Sequence, residues 1–323
     1  MGLRRIYDPT VEAFAKTIPR LDASDVEKIR AQVEDYRNLM ESKGMARPTD
    51  IRIKEIDHSI PGPEGTPDIP IRIYMPKKRT EAGPGYVNFH GGGFIFGDLE
   101  SEHHRSLLMA AEGGAVTVGI DYRLAPENPF PAAVEDCRCA LSWVINHAEE
   151  YNFDPEKIVV AGKSAGGHLS LTTGMLPASA GLDRRCLAQK KLKVAAIINW
   201  YGITDVNDLL DGPNMKSYAV AWFGSLSNRQ EIAKRVSPLT YVRPGLPPIL
   251  TIHGDVESTF PYSHAVRLHK ALTSAGVANQ LLTIAGGKHG GFTEKQVLKI
   301  YSTTVNFLKR HGIEKRIRTV SLP

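Results

Sequence analysis

This chain has no long hydrophobic run. Nothing in its 323 residues approaches the length of a membrane span. The opening stretch from Met1 to Ile6 carries two arginines but no apolar leader segment. Cytoplasmic residence is therefore the expectation. Cysteine is scarce, with three residues in all. Cys137 and Cys139 lie two apart on a predicted helix and do not face each other, and Cys186 is remote in sequence. No C-x-x-C spacing is present, so neither a disulfide framework nor a thiolate metal site is expected. All three thiols read as small buried apolar groups. The formal charge of +5 is modest, and Lys and Arg are dispersed. The short clusters Lys77-Lys78-Arg79 and Lys190-Lys191 lack interleaved aromatics, which describes a solvated basic surface and not a nucleic-acid site. No internal repeat or low-complexity tract is visible.

What is present is a regular alternation. Eight runs read as strands: Ile51–Ile60, Ile69–Met75, Tyr86–His90, Ala115–Asp121, Lys157–Ala161, Val194–Trp200, Ile249–His253 and Asn279–Ile284. The first two flank Pro61-Gly62-Pro63-Glu64-Gly65 and should form an antiparallel hairpin. The later ones alternate with helical patterns over Ala132–His147, Ala165–Met175, Tyr262–Ala275 and Glu294–Lys309. Such alternation implies an α/β fold: a mostly parallel eight-stranded sheet with helices on both faces.

Two segments stand outside that alternation. Ser24-Asp25-Val26-Glu27 reads as a capping box opening a helix with Val26, Ile29, Val33, Tyr36 and Met40 on one face. The stretch from Tyr201 to about Arg243 interrupts two strands and holds Leu209, Leu210, Tyr218, Trp222 and Phe223. Both read as parts of a helical cap over the carboxyl ends of the strands. The resulting division is 1–50 for the first part of the cap and 51–199 for the first part of the core. Residues 200–245 are the second part of the cap, and 246–323 complete the core.

Two glycine-framed motifs carry the chemistry. His90-Gly91-Gly92-Gly93-Phe94 is a loop of the kind that presents backbone N–H groups to an oxyanion. Gly162-Lys163-Ser164-Ala165-Gly166-Gly167 is a G-x-S-x-G nucleophile elbow, placed between a β-branched run and a helix of small residues, as that motif requires. Serine is a weak nucleophile at neutral pH and needs a base. Of eleven histidines, His289 fits that place, in the glycine-rich loop Gly286-Gly287-Lys288-His289-Gly290 after the last strand. His103, His104, His264 and His269 sit on predicted helices as surface or packing residues. Acyl transfer through an activated serine follows, with no cofactor and no metal required. Gly91, Gly92 and Ala165 are the expected oxyanion-hole donors.

With these motifs and Asp121-Tyr122-Arg123-Leu124-Ala125-Pro126-Glu127, the chain resembles the hormone-sensitive-lipase-like (bacterial family IV) carboxylesterases of the α/β-hydrolase superfamily. The likeness runs from about residue 50 to 310. It implies the α/β-hydrolase fold, a structural role for His90, a small-molecule ester substrate and possible homodimers, and the lack of a membrane-length run adds the expectation of no membrane partner. Relatives often carry H-G-x-x-D with a later proline at the triad acid. In His253-Gly254-Asp255-Val256-Glu257-Ser258 that pattern places Glu257 as the acid, with Pro261 at the proline, while Asp255 is the alternative and would otherwise bond its own turn. The position before the nucleophile, usually Asp or Thr in this family, is Lys163. A cation there would oppose formation of the imidazolium, unless it points to solvent. Phe94, Trp222 and Phe223 are expected to wall a short acyl pocket. Two other readings remain: a non-catalytic ligand-binding protein on the same fold, and a hydrolase of amides or lactones.

Overall fold

The computed structural model of the protein describes residues 25–43, 47–79, 81–183, 185–186, 192–210, 212–223 and 228–313. Residues 1–24 of the expected cap, Ser24 included, and the Lys190-Lys191 pair lie outside them.

Eight strands form one sheet: β1 (Ile53–Ile60), β2 (Ile69–Pro76), β3 (Gly83–Phe89), β4 (Val116–Ile120), β5 (Phe153–Lys163), β6 (Ala196–Trp200), β7 (Ile249–Gly254) and β8 (Asn279–Ile284). Their order is β1-β2-β4-β3-β5-β6-β7-β8. β2 pairs antiparallel with both β1 and β4, and all other pairs are parallel. Every residue of β4, β6 and β7 is buried, because helices cover both faces.

Strand alternation divides most of the interior into two cores, with a smaller cluster of Ile53, Tyr74, Leu107 and Ala110 beside them. Val87, Phe89, Val160 and Ile197 point into one, and their neighbours Tyr86, Val159, Ala161 and Ile198 into the other. The helices α1 (Val26–Ser42), α2 (His103–Ala111), α3 (Ala132–Asn146), α4 (Ala165–Met175), α5 (Ser217–Phe223), α6 (Arg229–Val236), α7 (Ser263–Ser274) and α8 (Glu294–Arg310) account for the α-helix among the described residues. α3, α4 and α7 feed the first core, through Val134, Leu169 and Leu268. α8 covers the second with Ile300, Phe307 and Leu308.

α1 begins one residue later than expected. Asp25 is the N-cap, accepting from Lys28 N at 3.0 Å, and only Ile29 of the apolar stripe is fully buried. The helix is held by its arginines as well. Arg30 forks onto Glu127 and donates to the carbonyls of Ile95 and Ala125, and Arg37 pairs with Asp98. These contacts seat α1 on the loops that follow β3 and β4.

The cysteine reading needs correction. Cys139 and Cys186 form a disulfide across 47 residues, and only Cys137 is a free buried thiol. The local spacing of Cys137 and Cys139 gave no hint of it, because the partner arrives on the loop after α4. One face of α3 grips that loop three times: Glu135 on Arg185, Arg138 on Asp183, and Cys139 on Cys186.

Candidate active site

β5 runs into the elbow, and Ser164 takes φ 55° and ψ −119°. A side chain with positive φ is strained, at a cost of about 1–3 kcal/mol, and persists only where its surroundings enforce it. Here the enforcement is close packing by glycine. A Cβ on Gly162 would stand 2.3 Å from Gly166 O, and one on Gly166 would stand 2.0 Å from Phe89 O. Ser164 N donates to Trp200 O at 2.9 Å, and Ser164 O accepts from His168 N, so the turn is bonded on both sides.

The loop after β8 brings His289 over the serine. Its Nε2 lies 2.9 Å from Ser164 Oγ, and its Nδ1 lies 2.6 Å from Glu257 Oε2. The Glu257 side chain is fully buried, and its Oε1 accepts from Thr259 N at 2.5 Å. Burial opposes ionisation of this carboxyl. The His289 hydrogen bond and charge, with the Thr259 N–H, outweigh it and hold its pKa below the usual range. Asp255 does something else. Its Oδ1 accepts from Gly286 N at 2.7 Å, closing the turn that carries the histidine loop.

On the other side of Ser164 stands the glycine loop after β3. Gly92 and Gly93 have φ of 117° and 58°, and Gly92 O accepts from the N–H groups of Ile95 and Phe96. A Cβ at Gly92 would fall 1.9 Å from Phe96 O, so only glycine fits. His90 anchors the loop from beneath, Nδ1 to Gly91 O at 2.7 Å, with its ring stacked on Tyr122. Burial pushes its pKa down to about 4, so it is neutral there. Gly91, Gly92 and Ser164 face one cleft of about 970 Å³. Ala165, the first residue of α4, is buried directly behind Ser164.

The cleft wall differs from the expected one. Phe94, Trp222 and Phe223 are each buried and do not line it. Phe94 also has positive φ (66°), which turns its ring under the loop to stack on Trp222 at 3.7 Å between centroids. Phe130 and His168 complete that cluster. The apolar wall is made instead by Ile29, Phe96, Leu108, Tyr201, Tyr218 and Phe260. Tyr201 follows β6 and Phe260 lies beyond β7, positions at carboxyl ends of parallel strands where such sites form. That positional signal could have marked both.

Lys163 does not point freely into solvent. Its Nζ lies 2.5 Å from Glu102 Oε1, on a carboxylate that is itself buried. Its charge next to Ser164 therefore faces a carboxylate, which Arg105 also contacts. His103 and His264 are buried packing residues, bonded to Pro48 O and Asp208 respectively. No His/Cys/Asp/Glu group able to hold a metal ion occurs among the described residues, and no helix among them is long and apolar enough to cross a membrane.

Comparison with known proteins adds a family to this geometry. Residues 71–272 match the BD-FAE family. The chain belongs to that family. The resemblance to hormone-sensitive-lipase-like esterases of the α/β-hydrolase fold stands with it. The carboxylesterase NlhH of Mycobacterium tuberculosis is 36% identical over 176 residues, covering 54% of this chain and 53% of that protein. An arylesterase of Saccharolobus solfataricus is 34% identical over 175 residues, covering 52% and 54%. The matched region thus spans about half the length of these curated relatives. Among solved structures, a bacterial heroin esterase aligns with TM-score 0.78 at 25% identity, covering 97% of this chain and 99% of that one. An esterase of Pyrobaculum calidifontis aligns with TM-score 0.73 at 27% identity, covering 95% and 99%.

Proposed function

We propose that this BD-FAE family member is a serine carboxylesterase that hydrolyses short-chain carboxylic esters through an acyl-serine intermediate. The observation that carries the reading is the continuous hydrogen-bonded line from Ser164 Oγ through both nitrogens of His289 to the buried Glu257. With Nδ1–H donated to Glu257, Nε2 is the acceptor facing the serine hydroxyl. His289 takes the Ser164 proton as Oγ attacks the ester carbonyl, and Glu257 stabilises the imidazolium so formed. His289 then hands that proton to the departing alkoxide. Water repeats the sequence on the acyl-serine and releases the acid.

The negative charge that develops on the carbonyl oxygen is received by the N–H groups of Gly91, Gly92 and Ala165, with the positive end of α4 behind them. The described residues of 200–245 and the helix α1 act as the cap, supplying Tyr218 and Ile29 to the wall. The relatives named carboxylesterase, arylesterase and acetyl esterase support an ester substrate. A non-catalytic role on this fold has no support from the site, because its base is present and bonded to the nucleophile. A burst of nitrophenolate from para-nitrophenyl butyrate, abolished in Ser164→Ala, tests the proposal. A wild-type protein that binds the ester without turning it over refutes it.

A further inference from the structure

The cleft has a charged end that the triad does not use. Glu102 lines it, 5% exposed, and two cations share its single carboxylate: Lys163 Nζ at 2.5 Å and Arg105 Nε at 3.0 Å. All three residues line the same cleft as Ser164 and His289. Two positive charges against one negative leave an excess of one cation. The other carboxylate of the lining, Glu100, is already bonded by two guanidiniums from outside the lining, Arg72 and Arg47.

The excess charge lies close to the reacting centre. Lys163 immediately precedes the nucleophile, and its side chain runs along the oxyanion glycine. A Cβ built on Gly91 would stand 3.3 Å from Lys163 Cγ and 3.5 Å from Lys163 Cε. The ammonium has three donors and is held by one carboxylate oxygen, and the side chain is one-third exposed. Arg105 is fixed from behind, its guanidinium 4.0 Å over the Trp200 ring and beside Tyr201, and its side chain keeps 17% exposure. A fixed guanidinium beside a partly exposed ammonium suits an anionic oxygen group.

Resting on the esterase reading above, we propose that Lys163 and Arg105 form a specificity site for a carboxylate carried by the ester itself. The preferred substrates are then monoesters bearing a free carboxylate in the acid or the alcohol part, and not fully neutral esters. Glu102 is the positioning residue that holds both cations at the cleft wall. It also limits the attraction, since removal of its charge would leave both cations unopposed.

The test is a set of matched pairs. Monomethyl adipate against methyl hexanoate places the carboxylate on the acid side, and para-acetoxybenzoate against phenyl acetate places it on the alcohol side. For each pair the ratio of kcat/KM, charged over neutral, is measured in wild type, Lys163→Met, Lys163→Arg and Glu102→Gln. In at least one pair the wild-type ratio is expected to fall on the order of tenfold in Lys163→Met, mainly through KM. Lys163→Arg should restore it and Glu102→Gln should raise it. Added salt should raise the wild-type KM of the charged ester alone, a readout that needs no variant. Ratios that Lys163→Met and salt leave unchanged in both pairs overturn the inference, while turnover of the neutral esters by the wild type keeps the esterase reading intact. Absence of turnover of all four esters refutes that reading instead, and this inference with it.

Discussion

Glu257 gives one carboxylate oxygen to His289 Nδ1 at 2.6 Å and the other to Thr259 N at 2.5 Å, from a side chain with no solvent exposure. Asp255, two residues earlier, spends its oxygen on Gly286 N. The two acids of this loop therefore have separate tasks. Glu257→Gln should keep the shape but lose the charge that stabilises the imidazolium, lowering kcat by about a thousandfold or more. Asp255→Asn should leave most activity and lower stability by about 1 kcal/mol, through a weaker turn. Steady-state kinetics and urea titration of both variants check the assignment. The opposite order of losses would make Asp255 the acid.

Trp222 tests the wall of the cleft. It is buried against Phe94, Phe130 and Phe223, behind the glycine loop and outside the cleft. Trp222→Ala should cost about 3–5 kcal/mol of stability, as expected for a large core residue. Leu108→Ala acts on the wall itself, and should extend the acyl chain lengths accepted while Trp222→Ala does not. Relative kcat/KM across butyryl, octanoyl and palmitoyl esters, with thermal melts, separates the two effects. A longer-chain preference in Trp222→Ala at unchanged stability would return that residue to the pocket.

Acid should unfold the protein through its buried imidazoles. Burial lowers the pKa of His90, His168 and His253 to about 4 each. Unfolded histidine titrates near 6.5, so between about pH 6.5 and 4 the unfolded chain binds more protons at these sites than the folded one. Their contribution to stability is complete above about pH 6.5 and is lost as pH falls toward 4, with a slope of about 1.4 kcal/mol per pH unit per histidine. His168 donates through Nδ1 to Ile203 O. Denaturant titrations of His168→Asn from pH 7 to 4.5 should show a pH dependence shallower by one proton. An identical slope would mean that His168 does not titrate on unfolding.

Most of the sheet was legible because its strands are short β-branched runs bounded by turn residues, and all eight fall within a few residues of the expected ranges. The meeting of Ser164 with His289 was legible because the elbow and the glycine loop admit few alternatives. Three features were not. The aromatic character of Phe94, Trp222 and Phe223 signals burial but not on which side of a loop, and it was the positive φ of Phe94 that sent its ring under the turn while Phe96 faced the cleft. The pairing of Cys139 with Cys186 depends on where a long connection returns, which local spacing does not encode. The ion pair of Lys163 with Glu102 joins β5 to the start of α2, a contact with no periodic signature.

In the proposed mechanism Ser164 Oγ is the atom acylated. The most direct measurement is intact-mass and peptide mapping after reaction with paraoxon, run beside para-nitrophenyl butyrate hydrolysis. The account predicts one diethylphosphoryl group per chain, on Ser164, with hydrolysis lost in proportion, and neither adduct nor turnover in Ser164→Ala. An adduct on another residue, or hydrolysis retained by Ser164→Ala, would contradict it.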